Sequence, residues 1–241
     1  MRRQTAVLVA VGAVLVALAV KEHVLHVGTD TALLLAVIVP SIIVHEVSHG
    51  VVALWFGDDT AKRAGRLTLN PLPHIDPFGT IVLPAILALG GAAAFGYAKP
   101  VPVDVRRLRH PRNHSLLVSL AGPATNIVLA LASVVWLRVL RSPSTLRTLV
   151  DTPGSAPIVD RAWFFFGYVN VLLATFNLIP LPPLDGSALV ERALPSSWWP
   201  GWLKLRQYAM PGLILLVLLR PSLLNGLFRP ALRLWGRVLG I

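Results

Sequence analysis

Long apolar runs separated by short polar connections make up most of the chain. The runs cover residues 5–20, 31–56, 80–98, 115–137, 162–181 and about 208–219. A helix that crosses a bilayer needs about 20 mostly apolar residues, and most of these runs approach or exceed that length. The pattern therefore predicts an all-α polytopic membrane protein with about five to six transmembrane helices.

Two segments differ from a plain membrane span. Residues 80–98 contain Pro84 and Gly90-Gly91, and basic residues lie on both sides of this run. Basic loops stay in the cytoplasm, so both ends of this run are expected on the cytoplasmic face. The proline and the two glycines interrupt the helix, and together these features predict a re-entrant segment that enters and leaves from that face while packed against protein. After Asn225, apolar residues and arginines fall on different helix faces, which is typical of a helix in the membrane interface.

The polar connections bear on domain organisation. The longest of them, residues 138–160 and 191–207, are too short to hold a soluble domain. We therefore expect a single membrane domain over residues 1–241, with a core at about 32–192 and C-terminal helices at about 204–241.

Composition agrees with a membrane protein and indicates which classes of partner it contacts. Hydrophobic residues make up 55% of the 241 residues, and the mean hydropathy is +0.69. The net charge is +11, but the basic residues form short clusters between apolar runs, which indicates contact with membrane lipid and no nucleic-acid partner. The chain contains no cysteine, so disulfides and thiolate metal ligands are excluded.

The second apolar run contains three ionisable side chains, His45, Glu46 and His49. On a helix the two histidines lie at i and i+4 on one face, close enough to share a metal ion. A carboxylate inside the membrane costs about 2.5–3.5 kcal/mol on insertion scales, so Glu46 needs a partner or a chemical task. Its position suits proton transfer from a metal-bound water, and the pattern predicts a zinc site that needs another protein ligand.

Two acidic residues are candidates for that further ligand. Asp185 follows the fifth run directly after a proline-rich stretch, and Gly186 next to it permits a tight turn that could aim the carboxylate inward. Glu191 is the alternative ligand. It adjoins Arg192, and a solvated ion pair is a simpler interpretation of Glu191 than a metal ligand.

Three motifs occur in a fixed order along the chain. They are HEVSH at 45–49, GPATN at 122–126 and NLIPLPPLDG at 177–186. In type and order they resemble the motifs of the site-2 protease family of intramembrane zinc metalloproteases, over about residues 32–192. The resemblance implies hydrolysis of peptide bonds within or near transmembrane segments of membrane protein substrates, as in regulated intramembrane proteolysis.

The resemblance also implies roles for individual residues. One zinc ion per chain would be held by His45, His49 and Asp185, with Glu46 as the general base and acid. Two asparagines match polar positions of the family and are expected to contact the substrate or the reaction intermediate. These are Asn126 and Asn177, for which helix packing and helix capping are the competing interpretations.

The resemblance and the basic residues indicate the domain content of the protein and its location. No PDZ-like insertion separates the fourth and fifth runs and no CBS-like domain follows them, so the chain resembles a minimal prokaryotic-type member. Arg2, Arg3 and the basic residues around 80–98 predict a multi-pass protein of the cell membrane with its active site toward the cytoplasmic side.

Loops near the site carry further expectations. A substrate helix must unwind before cleavage, so we expect short extended segments at 66–73 or 99–104 to bind it by strand pairing. In the same region His74 and Asp76 lie in a proline-rich loop, where an ordinary loop role competes with a second metal site.

Two other functions remain open at the level of sequence. One is a non-proteolytic metal-binding membrane protein, such as a transporter or scaffold. A closed structural zinc site needs four ligands and no base, so Glu46 favours catalysis. The other is a CAAX-type membrane metalloprotease with Glu191 as a ligand. Whether Asp185 or Glu191 approaches the histidines separates this interpretation from the site-2 protease family.

Overall fold

The computed structural model describes Val14, residues 28–82 and residues 97–241. Over these residues the chain is helical and has no strand, which confirms the predicted all-α class. The helices are α1 (Thr29–Trp55), α2 (Thr60–Arg63), α3 (Pro111–Val134), α4 (Pro143–Asp151), α5 (Ile158–Asn177), α6 (Ser187–Ala193), α7 (Trp199–Leu219) and α8 (Pro221–Leu239). Single 3₁₀ or π-helical stretches cover Leu72–His74, Pro77–Val82, Val105–Arg107, Val135–Val139, Pro153–Ser155 and Ser196–Trp198.

Among the described residues, three helices are long and apolar enough to cross a membrane: α1, α5, and α3 together with its continuation to Val139. They agree with the predicted membrane protein, while the total of five to six spans stays a prediction. Apart from Val14 and a few residues at the ends of 80–98, the predicted first helix and the re-entrant segment lie outside the described residues.

Contacts at the two ends of this three-helix core show the relative directions of the helices. Asp30 at the start of α1 pairs with Arg161 at the start of α5. At the other end, the ring of Phe56 after α1 stacks on His114 near the start of α3, with ring centroids 3.9 Å apart. Helices α1 and α5 therefore run parallel, and α3 runs antiparallel to both.

Small residues let α3 and α5 approach closely. Ser133 of α3 is fully buried, and a Cβ at Gly167 of α5 would overlap its hydroxyl. Small residues are typical of membrane helix contacts, because van der Waals packing rather than water exclusion drives the association. The close contact allows polar side chains of one helix to reach those of the next.

Helix α8 covers the outer side of this core. Its Trp235 and Leu239 are buried in an apolar cluster with residues of α3, α4 and α5. The arginines at 229, 233 and 237 are exposed. The amphipathic pattern is therefore present, with part of its apolar face packed on protein, and its location in the membrane interface stays a prediction.

A buried carboxylate fixes the loops at the end of α1. Asp58 accepts hydrogen bonds from the backbone N–H of Thr60 at 3.0 Å and of Asp104 at 2.7 Å. These bonds tie the segment 97–104, which has neither helix nor strand, to the end of α1. The turn itself passes through Gly57 at φ 106°, a conformation that favours glycine.

Candidate metal centre

The two histidines of α1 point into the contact between α1 and α3. Their Nε2 atoms are 3.1 Å apart, and the side chains are almost completely buried, with 5% exposure for His45 and 8% for His49. The i, i+4 spacing on a continuous helix places both imidazoles on one face.

The segment after α5 brings Asp185 to these histidines. It folds back through tight turns, and the N–H of Gly186 donates to the carbonyl of Asn177 at 2.6 Å. A Cβ at position 186 would lie 2.5 Å from the carbonyl oxygen of Ile179, so this close approach requires glycine. The Oδ2 atom of Asp185 consequently lies 3.1 Å from Nε2 of His45 and 3.4 Å from Nε2 of His49.

Hydrogen bonds on the far side of each imidazole define which nitrogen faces the centre. Nδ1 of His49 lies 2.7 Å from the carbonyl oxygen of Val118, which can only accept, so Nδ1 carries the proton. Nδ1 of His45 lies 2.5 Å from Oδ1 of Asn126. With both protons on Nδ1, each Nε2 presents a lone pair to the centre, as a metal ligand must.

The three donors fit a zinc ion. Possible ligand atoms of His45, His49 and Asp185 all lie within 4.8 Å of one another, and no group in the described part of the chain donates a hydrogen bond to the buried Oδ2 of Asp185. Two lone pairs and a carboxylate in a buried site repel one another unless a cation lies among them. Two nitrogen ligands of a tetrahedral zinc are about 3.3 Å apart for bonds of about 2.0–2.1 Å, close to the separation of the two Nε2 atoms.

The charge state of Asp185 also suits a ligand. Burial raises the pKa of its carboxyl, but a positive charge on the adjacent imidazoles of His45 and His49 has the larger effect and lowers it. A metal ion among the three donors would supply that positive charge in place of protons on the imidazoles, and metal ligation needs the deprotonated carboxyl.

Glu46 lies beside the donor group without belonging to it. Its Oε2 accepts a hydrogen bond from the backbone N–H of Val101 at 2.9 Å. The segment that supplies this N–H is held by the buried guanidinium of Arg66, which donates to the carbonyl of Lys99 at 2.6 Å and of Pro100 at 3.3 Å. Backbone contacts between segments so distant in sequence leave no local pattern, so the sequence predicted neither the bond from Val101 to Glu46 nor the bonds from Arg66 to residues 99 and 100.

The two asparagines singled out from the sequence lie in different surroundings. Asn126 is fully buried and connects His45 to Asn170 of α5 through hydrogen bonds of 2.5 and 2.7 Å. Asn177 donates to the carbonyl of Leu173 in its own helix at 3.0 Å. Their contact with a substrate or intermediate stays a prediction. Asn170 was missed, although an amide inside an apolar run is itself a signal.

The remaining acidic and histidine candidates have other partners. Glu191 accepts hydrogen bonds from Trp202 at 2.9 Å and Arg206 at 3.4 Å. His74 contacts the carbonyl of Thr68 at 3.0 Å, and Asp76 accepts from the N–H of Gly79 at 2.7 Å. Across the described residues, the one group of three metal-capable side chains is His45, His49 and Asp185.

Gly122 leaves the room that the donors occupy. A Cβ at this position of α3 would lie 2.5 Å from Nε2 of His45 and equally close to Nε2 of His49. Backbone without a side chain is therefore required where α3 passes the donor group.

We expect Gly122→Ala to weaken zinc binding about 10- to 100-fold, the range found when the support of metal ligands is disturbed. The added methyl group must displace an imidazole that lies within the helix contact. Competition with a zinc-binding dye in detergent measures the affinity. Gly212→Ala is the control, because a Cβ there meets no atom of the described residues within 4 Å. Equal affinities in the two variants would contradict the close approach of α3.

Comparison with known proteins places this centre in a family. The family model described as Peptidase family M50 matches residues 33–156 and 140–219, which include every donor of the centre. This chain belongs to peptidase family M50. The predicted resemblance to the site-2 protease family is thereby confirmed.

Individual members of family M50 resemble the chain over most of its length. A Bacillus subtilis (strain 168) protein named "Putative zinc metalloprotease YwhC" is 41% identical over 162 residues, 67% of this chain and 69% of that protein. "Putative zinc metalloprotease Rip2" of Mycolicibacterium smegmatis is 35% identical over 152 residues, 63% of this chain and 53% of that protein. The chain thus spans about half the length of the second relative. No solved structure matches the chain.

Proposed function

We propose that this chain is an intramembrane zinc metalloprotease that hydrolyses peptide bonds within or near transmembrane segments of membrane proteins, as in regulated intramembrane proteolysis. The observation that carries the proposal is the convergence of the buried His45 and His49 with the half-buried Asp185 beside helices apolar enough to cross a membrane. Membership of a peptidase family supports proteolysis over transport or scaffolding. Glu46, next to the donors but outside their set, supports a catalytic rather than a closed structural site.

The proposed mechanism assigns one zinc ion per chain to the three donors. When bound, zinc supplies a Lewis acid that polarises a carbonyl oxygen and makes water acidic enough to lose a proton near neutral pH. Glu46 takes that proton as the general base and later gives it to the leaving amine. The N–H of Val101, 2.9 Å from Oε2, fixes the direction of the carboxylate.

The apolar helices around the site support a transmembrane substrate. A transmembrane substrate hides its amides in helical hydrogen bonds, so it must unwind locally to expose one to attack. We propose that the unwound stretch lies along 99–104 or 66–73 in an extended conformation. Because Val101 contacts Glu46, a chain lying along 99–104 would pass the general base.

Basic residues support an active site on the cytoplasmic side of the cell membrane. They cluster where α1 ends and α3 begins, at Lys62, Arg63, Arg66, Lys99, Arg106, Arg107, Arg109 and Arg112. The connection 140–157 at the opposite end carries Arg141 and Arg147. By the positive-inside rule the first end faces the cytoplasm, and the donor His49 lies toward this end of α1.

Metal removal tests the proposed function. Phenanthroline added to the purified chain, reconstituted with single-span substrate proteins, is expected to abolish cleavage, and added zinc is expected to restore it, because the donors bind the metal reversibly. The readout is the appearance of product on a gel. Serine-protease reagents serve as the control and should have no effect. Cleavage that resists phenanthroline but is blocked by those reagents would end the metalloprotease proposal.

A further inference from the structure

A chain of hydrogen bonds leads from the metal centre through the helix core. It joins Nδ1 of His45 to Asn126 at 2.5 Å, Asn126 to Asn170 at 2.7 Å, and Asn170 to the hydroxyl of Ser41 at 2.9 Å. Asn126, Asn170 and Ser41 are all fully buried. The chain thus starts on α1, crosses α3 and α5, and returns to α1 one helical turn before His45.

Two backbone carbonyls at its far end determine the direction of every bond in the chain. The hydroxyl of Ser41 donates to the carbonyl of Val37 at 2.7 Å, so its oxygen must accept from Nδ2 of Asn170. The same Nδ2 donates to the carbonyl of Phe166 at 2.8 Å. Carbonyl oxygens cannot donate, and a flipped amide at Asn170 would place two acceptors face to face.

The orientation of Asn170 then sets that of Asn126. With Nδ2 of Asn170 used by Ser41 and Phe166, its Oδ1 faces Asn126 and must accept from Nδ2 of that residue. Oδ1 of Asn126 is left facing His45, where it can only accept. Nδ1 of His45 therefore carries the proton, and its Nε2 presents a lone pair to the centre.

We propose that Asn170 is a positioning residue that holds His45 in its metal-binding tautomer by fixing the direction of the Asn126 amide. The two ligands are supported differently: His49 is held by the carbonyl of Val118 directly, whereas an amide can turn over and needs a second group to orient it. The inference rests on the proposed function, because it assumes that His45 holds the metal.

Zinc affinity of the full chain in detergent tests this role. Asn170→Leu keeps the approximate size of the side chain but removes the acceptor that orients Asn126, and we expect about 10- to 100-fold weaker zinc binding in dye competition. Ser133→Ala is the matched control: its hydroxyl is equally buried, but within the described ranges it bonds only to Ala130 of its own helix, at 2.8 Å. That control should bind zinc like the wild type. If Asn170→Leu does not fold, Asn170→Ala is measured instead, with the same expected loss.

A second substitution separates positioning from simple packing. Asn126→Asp puts a carboxylate, which only accepts, next to Nδ1 of His45, so the tautomer no longer depends on Asn170. We therefore expect Asn170→Leu to cause less than about a 3-fold loss of zinc affinity when Asn126→Asp is already present, against the 10- to 100-fold loss in the wild-type background.

The outcomes distinguish this inference from the proposed function. Unchanged zinc affinity in Asn170→Leu, or the same loss in both backgrounds, would overturn the positioning role while leaving a zinc-binding wild type. A wild-type chain that binds no zinc would overturn the proposed function and this inference together. Weaker binding in Asn170→Leu that disappears in the Asn126→Asp background is the result that the hydrogen-bond chain predicts.

Discussion

Replacing Glu46 with glutamine is expected to lower peptide cleavage by about 10²- to 10⁴-fold, the contribution typical of a general acid–base group. Zinc should stay bound, because Glu46 is outside the donor group of His45, His49 and Asp185. The amide keeps the size of the side chain but cannot take a proton from water. Turnover of a reconstituted single-span substrate and the zinc content of the same preparation are the two measurements.

Glu191→Gln provides a matched control for this substitution. Glu191 is also a partly buried glutamate, but its carboxylate bonds to Trp202 and Arg206 away from the donor group, so cleavage should be close to that of the wild type. Undiminished cleavage in Glu46→Gln would remove Glu46 from the mechanism. Loss of zinc in that variant would mean that Glu46 acts as a ligand.

Replacing Asp185 with alanine is expected to remove both zinc and cleavage. Three protein donors plus one open position are the usual arrangement of a catalytic zinc site, and this change leaves two imidazoles to hold the ion. Elemental analysis after dialysis should find about one zinc per wild-type chain and a small fraction of that in Asp185→Ala. His45→Ala and His49→Ala should behave in the same way.

The comparison with Glu191→Ala makes the second prediction decisive. The carboxylate of Glu191 contacts the indole of Trp202 and the guanidinium of Arg206, whereas Asp185 lies 3.1 Å from Nε2 of His45. Glu191→Ala should therefore keep its zinc. The opposite result, with zinc lost from Glu191→Ala and kept by Asp185→Ala, would remove the proposed ligand set.

Local features of the site could be predicted from the sequence. His45 and His49 meet because one helical turn separates them, and no information from elsewhere in the chain is needed. The approach of Asp185 to the histidines was harder to predict, because the proline-rich stretch indicated a turn without indicating where the turn would lead. The residues alone left Asp185 and Glu191 open, and the family resemblance favoured Asp185. The all-α class followed from the length of the apolar runs.

The support of the site could not be predicted, for physical reasons. The N–H of Val101 that contacts Glu46 is a backbone group, so no residue type at position 101 signals it. Arg66 is one of the basic residues before 80–98 that indicate membrane topology. Nothing in the sequence shows that its guanidinium is buried against the carbonyls of Lys99 and Pro100. Asn170 lies within an apolar run, where a polar amide is costly, and this could have marked it as a polar contact between helices. Which residue it contacts could not be predicted, because that depends on how three helices are rotated against one another.

The positions of the new chain ends in a cleaved substrate test the central proposal most directly. A single-span protein is reconstituted with the wild-type chain or with Glu46→Gln, and mass spectrometry locates the cut. We expect wild-type products whose new termini lie within or at the edge of the apolar span, and no such products from Glu46→Gln. Cuts confined to the soluble flanks far from the span, or identical products from both chains, would contradict an intramembrane zinc protease centred on His45, His49 and Asp185.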